Sequence, residues 1–274
     1  MNPKTLLDQH ELQPKKALGQ NFLHDPQALE KIVNSAALSP DEIIVEVGPG
    51  TGTLTTQLAQ TGNRVIAVEV DQRLRPILNQ QLDPYPNAEV VYEDILNVDV
   101  AALVDHQPYV VVANVPYYIT SAILRHFLES RHKPRRMIIT MQLEVAERLI
   151  SQPGDMSVLS VSVQFYGKPS IIAKLKPGVF WPRPEVDSAV ISVDVYETPP
   201  VDIPDEKRFF RVVRAGFGQK RKQLRNSLSG GLAIKGAEAD ELLAQAEIDP
   251  RRRAETLSLE EWARLSHAHA SKWP

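Results

Sequence analysis

The sequence predicts a doubly wound α/β sheet followed by a small all-helical domain, and three observations carry that expectation. Short β-branched runs alternate with helical patterns through about the first 150 residues, as in a parallel sheet covered by helices. One run, Ile43-Ile44-Val45-Glu46-Val47, passes at once into Gly48-Pro49-Gly50-Thr51-Gly52, and a helical pattern starts near Leu54. Past Thr198-Pro199-Pro200 the apolar spacing is helical only: Phe209, Phe210 and Val213, then Leu224 and Leu228, then Leu242 and Leu243, then Leu259 and Trp262. The expected domains are therefore 1–198 and 199–274.

Composition sets the outer limits. The chain has 274 residues, 43% hydrophobic and 24% charged, enough for one or two domains with a full core. No apolar run is long enough for a membrane-spanning helix, and the N-terminus lacks the apolar stretch of a signal peptide. The absence of cysteine excludes disulfides and cysteine-ligated metals. A formal net charge of −3 does not announce a nucleic-acid binder, so charge distribution must carry that question.

Residues 1–16 are polar, include Lys15 and Lys16, and are expected to be flexible near the start. The first helix starts at Pro26, capped by Asp25, and carries Leu29, Ile32 and Val33. Just before it, Gln20 and Asn21 are candidate cofactor contacts, since amides both donate and accept; a plain surface-turn role stays open for them.

The strand, glycine turn and helix at 43–56 suit a nucleotide-like cofactor at the carboxyl edge of a parallel sheet. Gly48 and Gly50 would let it approach the backbone closely. Thr53 stands where a dinucleotide fingerprint needs its third glycine, and no Gly-Lys-Ser/Thr of a P-loop is present. The second strand, Arg64–Glu69, ends in an acid 21 residues beyond Gly48, a position from which a carboxylate commonly accepts both hydroxyls of a ribose; an exposed strand-end acid is the alternative. This supports an adenosine-containing cofactor without separating methyl donor from dinucleotide.

A helix over 71–82 and a strand over 88–92 lead to Asp94, where a carboxylate can accept from an adenine amino group while Ile95 packs beside the base. A turn-forming role for Asp94 is the alternative. The strand 109–113 ends in Asn114-Val115-Pro116-Tyr117-Tyr118, and a helix over 121–128 follows. Further expectations are a strand at 137–141, a helix at 142–149, strands at 157–165, 170–175 and 190–196, and a proline-stiffened surface loop between the last two.

Asn114 to Tyr117 is the most informative local signal. In an exocyclic amino group the nitrogen lone pair is delocalised into the base. Acceptors on its two N–H groups favour the pyramidal, nucleophilic form. The Asn114 side-chain oxygen and the Val115 carbonyl can supply them, with Pro116 fixing the turn and Tyr117 stacking on the base. Rate would come from orientation and from stabilising positive charge as it develops, with no metal or covalent nucleophile. Hydride transfer competes for the same fold but leaves this tetrapeptide unexplained. No lysine stands four residues after either tyrosine, where Ser121 and Ala122 occur. Phe180 and Trp181, set between prolines, are candidate stacking aromatics, with Phe180 as the lower jaw of the base pocket and Tyr117 as the upper; a core position is the alternative for both.

Segment 204–225 holds eight Lys/Arg against two acids, a formal +6. Arg211 and Arg214 share a helical face, and Lys220, Arg221, Lys222 and Arg225 cluster at the next helix, so phosphate contact is the expected use. Lys133, Arg135 and Arg136 are candidates to extend this patch, and Arg251, Arg252 and Arg253 are ambiguous. His267 and His269 do not form a metal-ligand pattern.

Taken together, Gly19–Leu23, Glu46–Gly52, Asn114–Tyr118, Phe180–Ser188, Arg214–Phe217 and Gln219–Asn226 resemble the ribosomal RNA adenine N6,N6-dimethyltransferases that modify small-subunit rRNA. Val115 replaces the usual leucine of Asn-Leu-Pro-Tyr, at a position whose family role is a backbone carbonyl. The resemblance implies a Rossmann-like S-adenosylmethionine-dependent methyltransferase sheet with a helical RNA-recognition domain. It implies S-adenosylmethionine as donor, with Gln20, Asn21, Leu23, Gly48, Gly50, Glu69, Asp94, Ile95 and Asn114 at the cofactor. Asn114, Tyr117 and Phe180 would meet the target adenine. The implied substrate is two adjacent adenines near the 3′ end of 16S rRNA, within an immature small ribosomal subunit, modified by a cytoplasmic monomer with no membrane partner. Related enzymes methylate a large-subunit rRNA adenine; the Arg214–Asn226 segment and the His24-Asp25 pair after Leu23 favour the small-subunit branch by resemblance.

Overall fold

The computed structural model describes residues 2–273; residues 1 and 274, the outer ends of the two expected domains, lie outside the described residues. The chain divides into two compact units. One comprises residues up to Ala146 together with Lys168–Val195, the other Glu147–Gly167 together with the chain from Tyr196 onward.

The strands are β1 (Phe22–Leu23), β2 (Ile43–Val47), β3 (Val65–Val68), β4 (Ala88–Val91), β5 (Tyr109–Asn114), β6 (Arg136–Gln142), β7 (Gly167–Leu175), β8 (Phe180–Trp181) and β9 (Ser188–Val195). Seven of them form a sheet of order β4-β3-β2-β5-β6-β9-β7. From β4 to β6 neighbouring strands are parallel, and β9 joins β6 antiparallel. This is the Rossmann-like sheet with an antiparallel edge. Its central strands are apolar on both faces because helices cover both, and β2 and β3 are buried along their whole length.

One face packs on the helices Pro26–Ala36 and Thr53–Ala59. Ile32 and Leu58 meet Ile44, Val110, Val112 and Ile138 there, every one of them 1% exposed or less. Each such side chain stabilises the fold by about 1.5–3 kcal/mol on full burial. The first of these helices begins as its sequence predicts: Pro26 occupies the first turn and the Asp25 carboxylate accepts from the Ala28 N–H at 2.8 Å.

Two expectations about local structure are corrected. The chain start is not loose. Residues Pro3–Gln9 form a helix capped by Asn2, and Leu6 and Leu7 are buried against Phe22, Leu74, Ile77 and Leu78. Adjacent leucines in a polar stretch were the signal, since two such side chains find an apolar face readily.

Residues 157–165 are not a strand despite alternating Val161, Val163 and Phe165; Val158–Tyr166 is a helix. Ser157 and Ser160 close a capping box at its start. Phe165 stacks on Phe209 at 4.9 Å and Tyr166 on Phe210 at 5.8 Å, within the second unit. Local capping and aromatic packing thus override a period-two pattern.

The second unit is otherwise helical: Glu206–Phe217, Leu224–Leu232, Gly236–Gln245 and Leu259–Lys272, around a fully buried Trp262.

Candidate active site

Strand register brings the chemistry to one level. Val47 lies opposite Val68 and Ala113, and Val68 opposite Val91. Gly48 and Glu69, which follow β2 and β3, and Asn114, the last residue of β5, therefore stand side by side at this edge, with Asp94 just beyond the fourth strand. They open into a cavity of about 280 Å³ lying wholly within the first unit. Gln20, Asn21, Leu23, Gly48, Gly50, Glu69, Asp94, Ile95, Asn114, Tyr117 and Phe180 all line it.

The glycine turn packs closely against its protein surroundings. Gly50 has φ +58°, and a Cβ there would stand 2.8 Å from the Phe22 ring. A Cβ on Gly48 would lie 3.6 Å from the Asn114 carbonyl oxygen and 3.5 Å from Val115, so the turn and the Asn114 loop are neighbours.

Glu69 is 4% exposed. Its carboxylate accepts from the Gly50 N–H at 3.1 Å and the Asp71 N–H at 2.8 Å. Burial pushes its pKa up, and those two N–H groups oppose the shift. Asp71 in turn accepts from Gln20 Nε2 at 2.9 Å and pairs with Arg73. The Gln20 amide oxygen accepts from the Lys15 N–H at 2.7 Å, so Gln20 braces the N-terminal segment at the cavity wall. Asp94 caps a short 3-10 turn over Ile95–Asn97, accepting from the Leu96 N–H, and Ile95 is buried beside it. The turn-forming and the cavity-lining roles of Asp94 thus coexist.

On the other side of the cavity, Asn114 Nδ2 donates to the Asn21 carbonyl at 3.4 Å. Its side-chain oxygen accepts no hydrogen bond among the described residues. The Tyr117 hydroxyl bonds to Ser188 Oγ at 2.7 Å, which fixes the half-buried ring; burial raises its pKa and Ser188 partly offsets that.

Phe180 is placed differently from expectation. It is not on an exposed loop but in β8, 2% exposed, in a two-stranded pairing where Leu23 lies opposite it. Trp181 lies opposite Phe22 and packs beside it. Proline flanks on both sides read as a loop; the two-residue strand is too short to leave a period.

Sequence reasoning passed over Glu46 and Tyr118 as site residues. Glu46 lies in β2, 1% exposed, with Oε2 unpartnered at the cavity wall. Burial pushes its pKa up to about 8; the Thr55 hydroxyl opposes this and Glu69 adds to it. An acid inside a buried β-branched run was the available signal.

The candidate cations also sort themselves. Arg135 pairs with Glu42, Arg136 with Asp194, Arg251 with Asp249, Arg252 with Glu261 and Arg253 with Glu255. Arg225 pairs with Asp240. Arg211, Arg214, Lys220, Arg221 and Lys222 are exposed on the second unit, with no ion pair among the described residues. The patch thus narrows to the helix Glu206–Phe217 and the turn after it.

A sequence profile of the ribosomal RNA adenine dimethylase family matches residues 11–270. The chain belongs to this family. Proteins named ribosomal RNA small subunit methyltransferase A, from Dehalococcoides mccartyi and Enterococcus faecalis, are 43% and 44% identical to it. Each alignment covers 97% of this chain, and 92% and 93% of the relatives. The crystal structure of the 23S rRNA methyltransferase ErmE is 29% identical, with a TM-score of 0.74 over 90% of this chain and 99% of its own. A dimethyladenosine transferase from Plasmodium falciparum, 22% identical with a TM-score of 0.77 over 92% and 98%, shares the fold.

This rRNA adenine dimethylase is therefore an S-adenosylmethionine-dependent methyltransferase. Its cavity fits that donor. Gly50 turns at its wall with φ +58°, Glu69 presents a buried carboxylate, and Glu46 Oε2 has no protein partner among the described residues. No helix of the dimethylase among the described residues is long and apolar enough to cross a membrane.

Proposed function

We propose that this enzyme dimethylates N6 of two adjacent adenines near the 3′ end of 16S rRNA, four methyl transfers in all, on an immature small ribosomal subunit. It works as a cytoplasmic monomer. The observation that carries the mechanism is the register that sets Asn114 beside Gly48 and Glu69. The small-subunit target is supported by relatives of that name at 43–44% identity along nearly the whole chain, against 29% for ErmE.

Bound S-adenosylmethionine supplies a methyl group that is already activated, so the protein's share is orientation and charge stabilisation. Glu69 accepts from the ribose hydroxyls, and Asp94 from the adenine amino group of the donor, with Ile95 packed on its ring. Gln20, Asn21 and Leu23 close the same site. Asn114 Oδ1 and the Val115 carbonyl accept the two N6 hydrogens of the target. They turn the nitrogen lone pair out of the base plane and share the positive charge that grows on N6. Tyr117, held by Ser188, stacks on the target base, and Phe180 closes the pocket opposite. The helical unit recognises RNA phosphates through Arg211, Arg214 and Lys220–Lys222.

The test is to incubate the protein with labelled S-adenosylmethionine and immature small or large ribosomal subunits, then map the labelled nucleotide. Label on two neighbouring adenines near the 3′ end of 16S rRNA is expected. Label confined to large-subunit rRNA would reject the small-subunit assignment.

A further inference from the structure

We propose that Tyr118, which lines the cavity on the Asn114 side, is a stacking platform for the RNA base that flanks the target adenine, a positioning residue for the substrate rather than a contact of the donor. The proposal rests on the rRNA adenine dimethylation reading above.

Five large hydrophobic side chains are exposed among the described residues, and three of them, Val70, Leu96 and Tyr118, surround the mouth of this one cavity. Sheet order sorts the three. Val70 follows β3 and Leu96 follows β4, on the side of Glu69 and Asp94. Tyr118 follows β5, on the side of Asn114. Tyr118 is the most open of them, at 67%. Its neighbour Tyr117 is half-buried and tied to Ser188, so two consecutive tyrosines serve different surroundings. The Tyr118 hydroxyl bonds to no protein group among the described residues, so nothing in the protein ties this ring down through its polar end.

One edge of that ring lies near the chain at Gly19: a Cβ there would stand 3.5 Å from Tyr118 Cε1 and 3.0 Å from Pro116 Cβ. It sits in the 3-10 turn Tyr117–Ile119, whose entry Pro116 restricts. An aromatic face left in water suits a flat, apolar partner.

The local charge says which partner. Lys15 and Lys16, on the segment that runs into Gly19, are exposed and in no ion pair among the described residues. An exposed ring near a segment that carries free cations fits a base with its phosphate. Chemistry asks for such a site, since drawing one adenine into the Asn114 pocket unstacks its neighbour. In the two-adenine reading, that neighbour is the other adenine.

Steady-state methylation of small ribosomal subunits lacking the dimethyladenosines tests this with Tyr118→Ala, Tyr118→Phe and Tyr118→Trp, alongside calorimetric S-adenosylmethionine binding. Stacking of this kind predicts that Tyr118→Ala raises the KM for subunits about ten-fold. Donor Kd should stay within about two-fold, and Phe and Trp should restore KM to a similar margin. An unchanged KM for Tyr118→Ala overturns the proposal. So does a Phe variant as impaired as Ala, which would make the hydroxyl the functional group, or a donor Kd that rises in step with KM. If the wild type methylates only large subunits, the target assignment fails and the same ring dependence on those particles decides the platform. If it methylates neither, the functional reading fails and takes the platform with it.

Discussion

Replacing Glu46 with Gln should change how stability depends on pH. Glu46 is 1% exposed in β2, and burial lifts its carboxyl from an ordinary 4.5 to about 8, with Thr55 opposing and Glu69 reinforcing the shift. Between those values the folded protein keeps a proton that the unfolded chain has released. By linkage, stability then falls as pH rises through the window. Each pH unit inside it is worth about 1.4 kcal/mol, so pH 5 to pH 7 removes about 2.5 kcal/mol. Gln keeps the size and cannot ionise. Glu69, raised by its own burial, is present in both proteins and largely cancels. Urea unfolding of the cofactor-free protein, followed by circular dichroism at pH 5, 6 and 7, should show the wild type losing about 2–3 kcal/mol more than Glu46→Gln. Parallel pH slopes would refute a protonated Glu46.

Three further perturbations probe the glycine turn and the basic patch. Gly50→Ala forces a Cβ against Phe22 at positive φ, and should cost about 1–3 kcal/mol in unfolding free energy together with donor affinity, read by calorimetry. Glu69→Gln removes the charged acceptor held by Gly50 and Asp71, and should weaken S-adenosylmethionine binding by about ten-fold, as expected for a charged hydrogen bond; unchanged affinity would remove Glu69 from the ribose site. Lys220→Ala, Arg221→Ala and Lys222→Ala combined should lower the salt slope of RNA binding by about two to three, read from affinity between 50 and 200 mM salt.

The central fold was legible because its signals are local. The β-branched run at 43–47, the glycine turn and the helix after it predict one another, and Glu69 stands at the end of the next strand. Once strands alternate with helices, parallel register follows, and it sets Gly48, Glu69 and Asn114 on one edge. What was not legible depends on partners remote in sequence. Phe180 reads as exposed because prolines flank it, yet Leu23 lies opposite it across more than 150 residues. Val158–Tyr166 alternates like a strand until Phe209 and Phe210 supply a face for its rings. Arg135 and Arg136 look free until Glu42 and Asp194 arrive by folding. The environment of Glu46 is a property of the packed sheet, although an acid in such a run was already a departure from pattern.

The most direct test of the account is Asn114→Ala. Asn114 Oδ1 accepts no hydrogen bond among the described residues, and in the proposed mechanism its removal leaves only the Val115 carbonyl to orient the target amine. Single-turnover methyl transfer to unmodified small subunits would be measured beside RNA affinity and S-adenosylmethionine affinity. Transfer should fall by at least about 100-fold, in line with loss of one preorganised polar group at a reacting centre, with RNA affinity largely retained. Dimethylation at the wild-type rate by Asn114→Ala would contradict the proposed role of Asn114.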